Sequence, residues 1–450
     1  WRISEEPWFA PAKDVMNNLK LRASFGSLGN QKVKNNAWMR QITFDNFAGF
    51  SFDGSAMGRY ATISAPNASD LTWETSTQYN AGIDAGMFKD KLMFTAEAFI
   101  RDTKGMLQQG VALPGVYGAN SPLMNSADLR TSGYEISFSW RDQIDLGGKP
   151  FGYSISANIS DNKTIITKYD NPERTFAKDY YEGMELGEIW GFRTDGLFKT
   201  NTEAQNWFKN DYHVYRPASG PYAGDVKFLD VDDNKRISIG DATLNSHGDL
   251  ERIGNSMPRY QFGLNLDFKW NGIGISAFLQ GVGKRDWYPI SGSDFFWGGY
   301  ARAYVAYALK SQSLENTAQV DKSTPDWVMT NADKDPYWPR RSYAQANQAQ
   351  GTLTFPNDRY LQNAAYFRLK NLTIDYSFPK AMLKKAKIDQ LKVYVTGENL
   401  FTWSPMFKHT DMFDPEVIQG GDSDFHDATT GQGYSYPMLR SFTFGINLTF

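Results

Sequence analysis

The sequence contains no cysteine and only four histidines in 450 residues. The first absence excludes a disulfide framework, a thiolate nucleophile and any cysteine-ligated metal. The histidines (His213, His247, His409 and His426) all fall in segments that read as loops, and none has a partner at helical metal-ligand spacing. A G-x-S-x-G nucleophile elbow and a phosphate-cradling glycine loop are also missing. Carboxylate neighbours such as Asp232 and Asp233 occur, but adjacency without geometry makes no acid–base pair. No catalytic residue is assigned, and the chain is expected not to be an enzyme.

Long apolar runs are absent as well. No 18 consecutive apolar residues occur and the mean hydropathy is −0.52, which excludes a transmembrane helix. Charged residues make up 22% and the net charge is −3, so neither a nucleic-acid footprint nor a basic membrane-binding chain is indicated. These exclusions do not reach a membrane β-barrel, because half of each barrel strand is polar.

What is abundant is aromatic: 31 Phe, 24 Tyr and 13 Trp, 15% of the chain. Tyr and Trp suit a lipid–water boundary, where one end of the ring is dry and the other wet. Strict alternation is also common. Phe442, Phe444, Ile446, Leu448 and Phe450 share one face of an extended segment, and Ser441, Thr443, Gly445, Asn447 and Thr449 share the other. Period-two segments lie at 19–30, 71–87, 92–106, 130–141, 151–165, 259–270, 273–283, 364–377, 391–401 and 439–450. In the sixth, Phe262, Leu264, Leu266 and Phe268 oppose Gln261, Asn265, Asp267 and Lys269, and the charged side suits a watery lumen. The alternation slips near Lys370 and Asn371, which predicts a bulge.

Connections sort by length. Residues 88–91, 142–150, 271–272 and 378–390 are short or moderate, the last with a basic, helix-like 380–387 read as a solvated turn. Residues 31–70, 107–129, 166–258, 284–363 and 402–438 are long, and the two kinds alternate. Outer-membrane barrels have short periplasmic turns and long external loops. The fold expected is therefore all-β: a transmembrane antiparallel barrel wall with long extracellular loops.

Several stretches in order carry a family resemblance: LKLRASFGSLGNQ from Leu19, DLTWETSTQYNAGIDAGMFKDKL from Asp70, and TSGYEISFSW from Thr131. GDVKFLDVDDNKRISIGD from Gly224, FRLKNLTIDYSFP from Phe367, LKVYVTGENLFTW from Leu391, FDPE from Phe413 and the closing strand complete the set. Together they resemble the C-terminal barrel half of the SusC/RagA family of TonB-dependent outer-membrane transporters of Bacteroidetes. The resemblance implies a plugged barrel of roughly 22 strands. It also implies TonB-driven import of oligosaccharides or peptides with a SusD-like surface lipoprotein. Residues 1–450 are then expected to be the C-terminal portion of a longer polypeptide, with the plug domain, the N-terminal strands and the export signal on a preceding segment. Rival readings are an outer-membrane barrel hydrolase and a soluble carbohydrate-binding β protein.

Two loop regions offer candidate sites. Asp230, Asp232 and Asn234, the Arg236 carbonyl and Asp241 fall at positions 1, 3, 5, 7 and 12 of a calcium-loop pattern. Lys235 stands where glycine is usual, and Asp241 is shorter than the usual glutamate. A structural calcium ion is the expectation, against an Asx-rich turn whose carboxylates cap backbone amides. The second region is aromatic. Trp287, Tyr288 and Trp297, with Phe295, Phe296 and Tyr300, and then Trp338 in YWPRR, are candidate substrate contacts, because sugar rings stack on such side chains. Interfacial placement and loop self-packing explain them more plainly. Arg340 and Arg341 could hold a carboxylate or pair with acidic loop residues.

Overall fold

Ten strands follow one another through a single antiparallel sheet in chain order. They are β1 (Asn18–Asn30), β2 (Glu74–Met87), β3 (Leu92–Gln109), β4 (Leu123–Asp145), β5 (Pro150–Lys168), β6 (Arg259–Trp270), β7 (Ile273–Lys284), β8 (Tyr366–Ser377), β9 (Gln390–Trp403) and β10 (Ser441–Thr449). The computed structural model describes residues 1–30, 39–40, 42–46, 59–63, 71–110, 114–117, 121–176, 179–208, 221–289, 293–297, 313, 315–340, 353, 355–384, 387–418, 430–431 and 435–450. Each period-two segment coincides with or overlaps one of these strands. The main difference is length, since β4 and β5 continue well past the alternating segments at 130–141 and 151–165. Residues 142–145 thus belong to β4, and the turn shrinks to 146–149.

Register shows why alternation held. Phe268, Ile275, Ile374, Val395 and Phe444 are direct neighbours across five strands, and Trp270, Ile273, Tyr376, Val393 and Ile446 form the next row on the same face. The opposite face carries Asp267, Ser276, Thr373, Thr396 and Thr443. Neither face is covered by a second layer among the described residues. Ile275 and Ile374 are 39% and 45% exposed although they lie on central strands. Gln261, Asn265 and Asp267 are exposed on the other side. A soluble sheet hides one face against another layer. This one is a bare wall with an apolar side and a polar side.

The slip at Lys370 is a bulge: Phe278 pairs with Asn371 and Leu279 with Leu369, which leaves Lys370 as the extra residue. Leu369 and Leu372 are three positions apart and would face opposite ways in a regular strand. The bulge returns both to the apolar face, opposite Leu279 and Ala277. The disturbance passes into β9, where Glu398 pairs with Asn371 and Phe401 with Leu369, and Asn399 takes a φ of 51°.

At one end the turns are tight. Asn271 and Gly272 both have positive φ (49° and 88°), as a two-residue hairpin turn of primed type requires. Among its described residues the 378–389 connection holds a short helix, Lys380–Leu383. At the other end the long connections build small ribbons of their own. Glu188–Phe192 pairs with Leu250–Asn255, Thr194–Leu197 with Val226–Phe228, and Asp286–Pro289 with Gln362–Asn363 and Thr430–Gly431. The chain's main hydrophobic core lies here, around Phe192, Phe228, Trp287, Tyr288, Phe296 and Tyr360.

Candidate functional site: the loop head and its latch

The aromatic residues singled out as substrate contacts are buried. Trp287, Tyr288, Trp297 and Trp338 are each at most 3% exposed. They pack on one another and on Phe296, Tyr360 and Phe413: Trp287 lies 5.0 Å from Phe413, Trp297 5.1 Å from Tyr360, and Trp338 5.9 Å from Tyr360 in a stacked arrangement. The polar ends of Trp297 and Tyr288 are tied down as well, whereas Trp287 Nε1 is buried without a partner. Trp297 Nε1 donates to the Pro289 carbonyl, Tyr288 Oη donates to the Leu353 carbonyl, and Asn357 Nδ2 donates to Tyr288 Oη. In this arrangement the four rings, expected as substrate contacts, are packed within the loop head. Large aromatic surfaces bury best against each other where the wall offers no core. The side chain of Phe295, and Tyr300, lie outside the described residues.

In the acidic loop two of the expected calcium ligands converge with a third carboxylate from outside the twelve-residue pattern, a group of oxygens that could hold a metal ion. Asp230 and Asp232 converge with Asp249, their carboxylate oxygens within 4.8 Å of one another, and Asp241 is not in this group. Asp241 instead closes a turn by donating its N–H to the Ser246 carbonyl. Each of the six oxygens of these three carboxylates accepts a hydrogen bond. Asp230 accepts from the Asn234 and Lys235 N–H groups, and Asp232 from the Asn234 N–H and Nδ2. Asp249 accepts from Val231 and Ser238. Asn234 Oδ1 accepts from the Arg236 N–H. The turn's hydrogen bonding is thus closed by amide capping. Lys235 adopts the left-handed φ of 62° that glycine would take more cheaply. Burial pushes the Asp249 carboxyl up, opposed by its two amide donors and reinforced by Asp232 and Asp230. Asp249 was invisible to spacing, because it is brought in from beyond the loop by the fold.

A third constellation links head to wall. Arg368, on the polar face of β8, is 3% exposed and its guanidinium holds both acids of the FDPE sequence, Asp414 and Glu416. Arg368 Nε also donates to Thr402 Oγ1, while Lys370 Nζ and Gln280 Nε2 each reach Glu416 Oε1 at 3.0 Å. Asp414 accepts the Glu416 N–H and, through its other oxygen, the Met438 N–H. The loop after β9 is therefore fastened across the polar face of β7 and β8. The sequence showed FDPE and FRLK as separate stretches, and nothing in their spacing joined them.

Other loop charges are similarly occupied. Arg340 pairs with Asp225 (Nε to Oδ1, 2.8 Å) and lies over the Tyr222 ring, so YWPRR serves loop packing at that position. Lys227 bridges Asp195 and Glu203. His409 stacks on Tyr337 with ring centroids 3.7 Å apart. Burial, with help from Lys408 and Arg359, lowers its pKa to about 4. His213, His426 and Arg341 lie outside the described residues. Neither His247 nor His409 is assembled with a nucleophile and a carboxylate among the described residues.

Comparison with known proteins agrees with this architecture. Residues 12–321 match the family model "TonB dependent receptor-like, beta-barrel". TonB-dependent receptor P3 of Formosa agariphila is 26% identical over the whole chain, which covers 41% of that protein. SusC of Bacteroides thetaiotaomicron is also 26% identical, with all of this chain aligned to 39% of its length. Among solved structures, one of the RagAB peptide transporter superposes with a TM-score of 0.65 at 21% identity, covering 97% of this chain and 41% of that one. The RagAB peptide importer in its open-open state gives 0.66 at 19% identity, covering 100% and 42%. At that identity the likeness is one of fold. The chain spans about two-fifths of the length of the curated relatives it matches.

Proposed function

The chain belongs to the TonB-dependent receptor-like β-barrel family, and on that footing we propose that it supplies wall and external loops of a TonB-driven outer-membrane importer of large nutrients. The observation that carries this reading is the ten-stranded sheet with an exposed apolar face and a polar face that carries no second sheet or helix layer among the described residues. Lipid would meet the Phe268–Phe444 row, and water and a plug would meet the Asp267–Thr443 side. The relatives' names and the likeness to a peptide importer support a transport role that leaves the cargo chemically unchanged.

In this reading the cargo is an oligosaccharide or a peptide, and a SusD-like lipoprotein meets the loop head at the cell surface. TonB acts through a part of the protein outside residues 1–450. The test is the full-length protein expressed in its host with and without a functional TonB. Growth on the cognate glycan or peptide mixture should require both, and the receptor should co-purify with a lipidated partner. Growth that persists without the receptor, or uptake that ignores TonB, would overturn the proposal. Mass spectrometry of cargo retained by the purified complex would decide between glycan and peptide.

A further inference from the structure

The connection between β8 and β9 differs in charge from the rest of the chain. Residues 378–390 hold Lys380, Lys384, Lys385 and Lys387 against one acid, Asp389, in a protein whose net charge is −3. Several lysines elsewhere at this end are paired within the chain: Lys91 with Asp142 at 2.7 Å, Lys13 with Glu5 at 3.7 Å, and Lys149 donates to Asn271 Oδ1. Lys380, Lys384 and Lys387 are exposed and have no anionic partner among the described residues. Between them Met382 is 65% exposed, whereas Leu383 is buried and seats the short helix. A merely solvated turn gains nothing from presenting a methionine to water.

Position supplies the second argument. The turn sits where the apolar face of the wall ends. Tyr376 lies in the last apolar row of β8, and Phe378 packs edge-on against it at 5.0 Å. Exposed Ile273, Ile446 and Leu448 line the same rim on neighbouring strands. Cationic side chains next to an aromatic rim and an exposed apolar side chain match an anionic lipid headgroup with acyl chain beside it. We propose that the 378–390 turn binds anionic phospholipid of the leaflet at the short-turn end of the barrel, with Lys380, Lys384 and Lys387 on the phosphate and Met382 in the leaflet. This rests on the membrane-wall reading above and adds a lipid site to it.

The experiment uses the full-length receptor, purified in mild detergent and stripped of native lipid. Phosphatidylglycerol and phosphatidylcholine with the same acyl chains are titrated separately and retained lipid is counted by native mass spectrometry. The wild type should prefer phosphatidylglycerol, and the Lys380→Gln, Lys384→Gln, Lys387→Gln variant should lose roughly fivefold in affinity for each lysine removed. Phosphatidylcholine binding should not change. Undiminished phosphatidylglycerol binding in the variant, or equal binding of both lipids by the wild type, would overturn the proposal and leave the turn to solvent or a periplasmic protein. Outer-membrane fractionation of both proteins is scored in parallel. A wild type missing from that fraction would count against the wall itself, not the lipid site.

Discussion

At the scale of single residues, Arg368 has the most to lose. Its guanidinium faces two carboxylates at a site with almost no solvent, so removing it leaves Asp414 without its cation and Glu416 with Lys370 alone. Arg368→Ala should cost about 3–5 kcal/mol. Faster proteolysis within 404–440 and a lower melting temperature of the full-length receptor would show it. Arg368→Lys should recover only part of the loss, because an ammonium cannot grip two carboxylates as a fork does. His409 gives a pH signature. Its folded pKa of about 4 lies below the ordinary 6.5, so the unfolded state binds more protons between those values. Stability from this group is present at neutral pH and is lost as pH falls through that window. The tryptophan-fluorescence melt of the loop head should drop from pH 7.5 to 4.5, and His409→Gln should reduce the drop. An equal drop in both proteins would show that other groups control it.

At the scale of elements, β-strands were readable because side-chain direction repeats every two residues and both faces here have uniform character. The bulge was readable for the same reason: Leu369 and Leu372 break parity within one strand. Deleting Lys370 should remove the bulge, keep Leu369 and Leu372 on the apolar face and permit assembly, while deleting Lys370 and Asn371 together should force one half of β8 onto the wrong face and abolish it. Outer-membrane yields of the two variants separate these outcomes. Facing can be tested on β6. Phe268→Arg on the apolar face should cost about 2–4 kcal/mol near mid-membrane, while Asp267→Arg beside it should assemble normally. The head resisted such reading. Trp287 and Trp338 both pack on Phe296 across sequence distance through irregular backbone, and no local period announces that their rings face inward. Asp249 joins Asp230 and Asp232 by the same kind of long return.

At the scale of the whole molecule, apolar surface is distributed the wrong way for a soluble protein. The core is gathered in the loops, where connections between strands fold on themselves, while the largest regular element keeps bulky apolar side chains in the open. Two strand edges, β1 and β10, bound the described sheet, and Trp1 already exchanges both backbone hydrogen bonds with Leu21 on the β1 edge. Edges of that kind cannot stand in hydrocarbon, so the wall has to be completed by further pairing. Residues 1–450 have no cysteine, so single cysteines can be placed there once any cysteine outside this stretch is replaced. Spin labels at 262, 264, 266 and 268, and at 263, 265, 267 and 269, in the full-length receptor in lipid bilayers test the wall directly. The account predicts that oxygen collides preferentially with the even-numbered set and a water-soluble nickel complex with the odd-numbered set. Two sets with the same accessibility, or an even-numbered set shielded from both reagents, would contradict it.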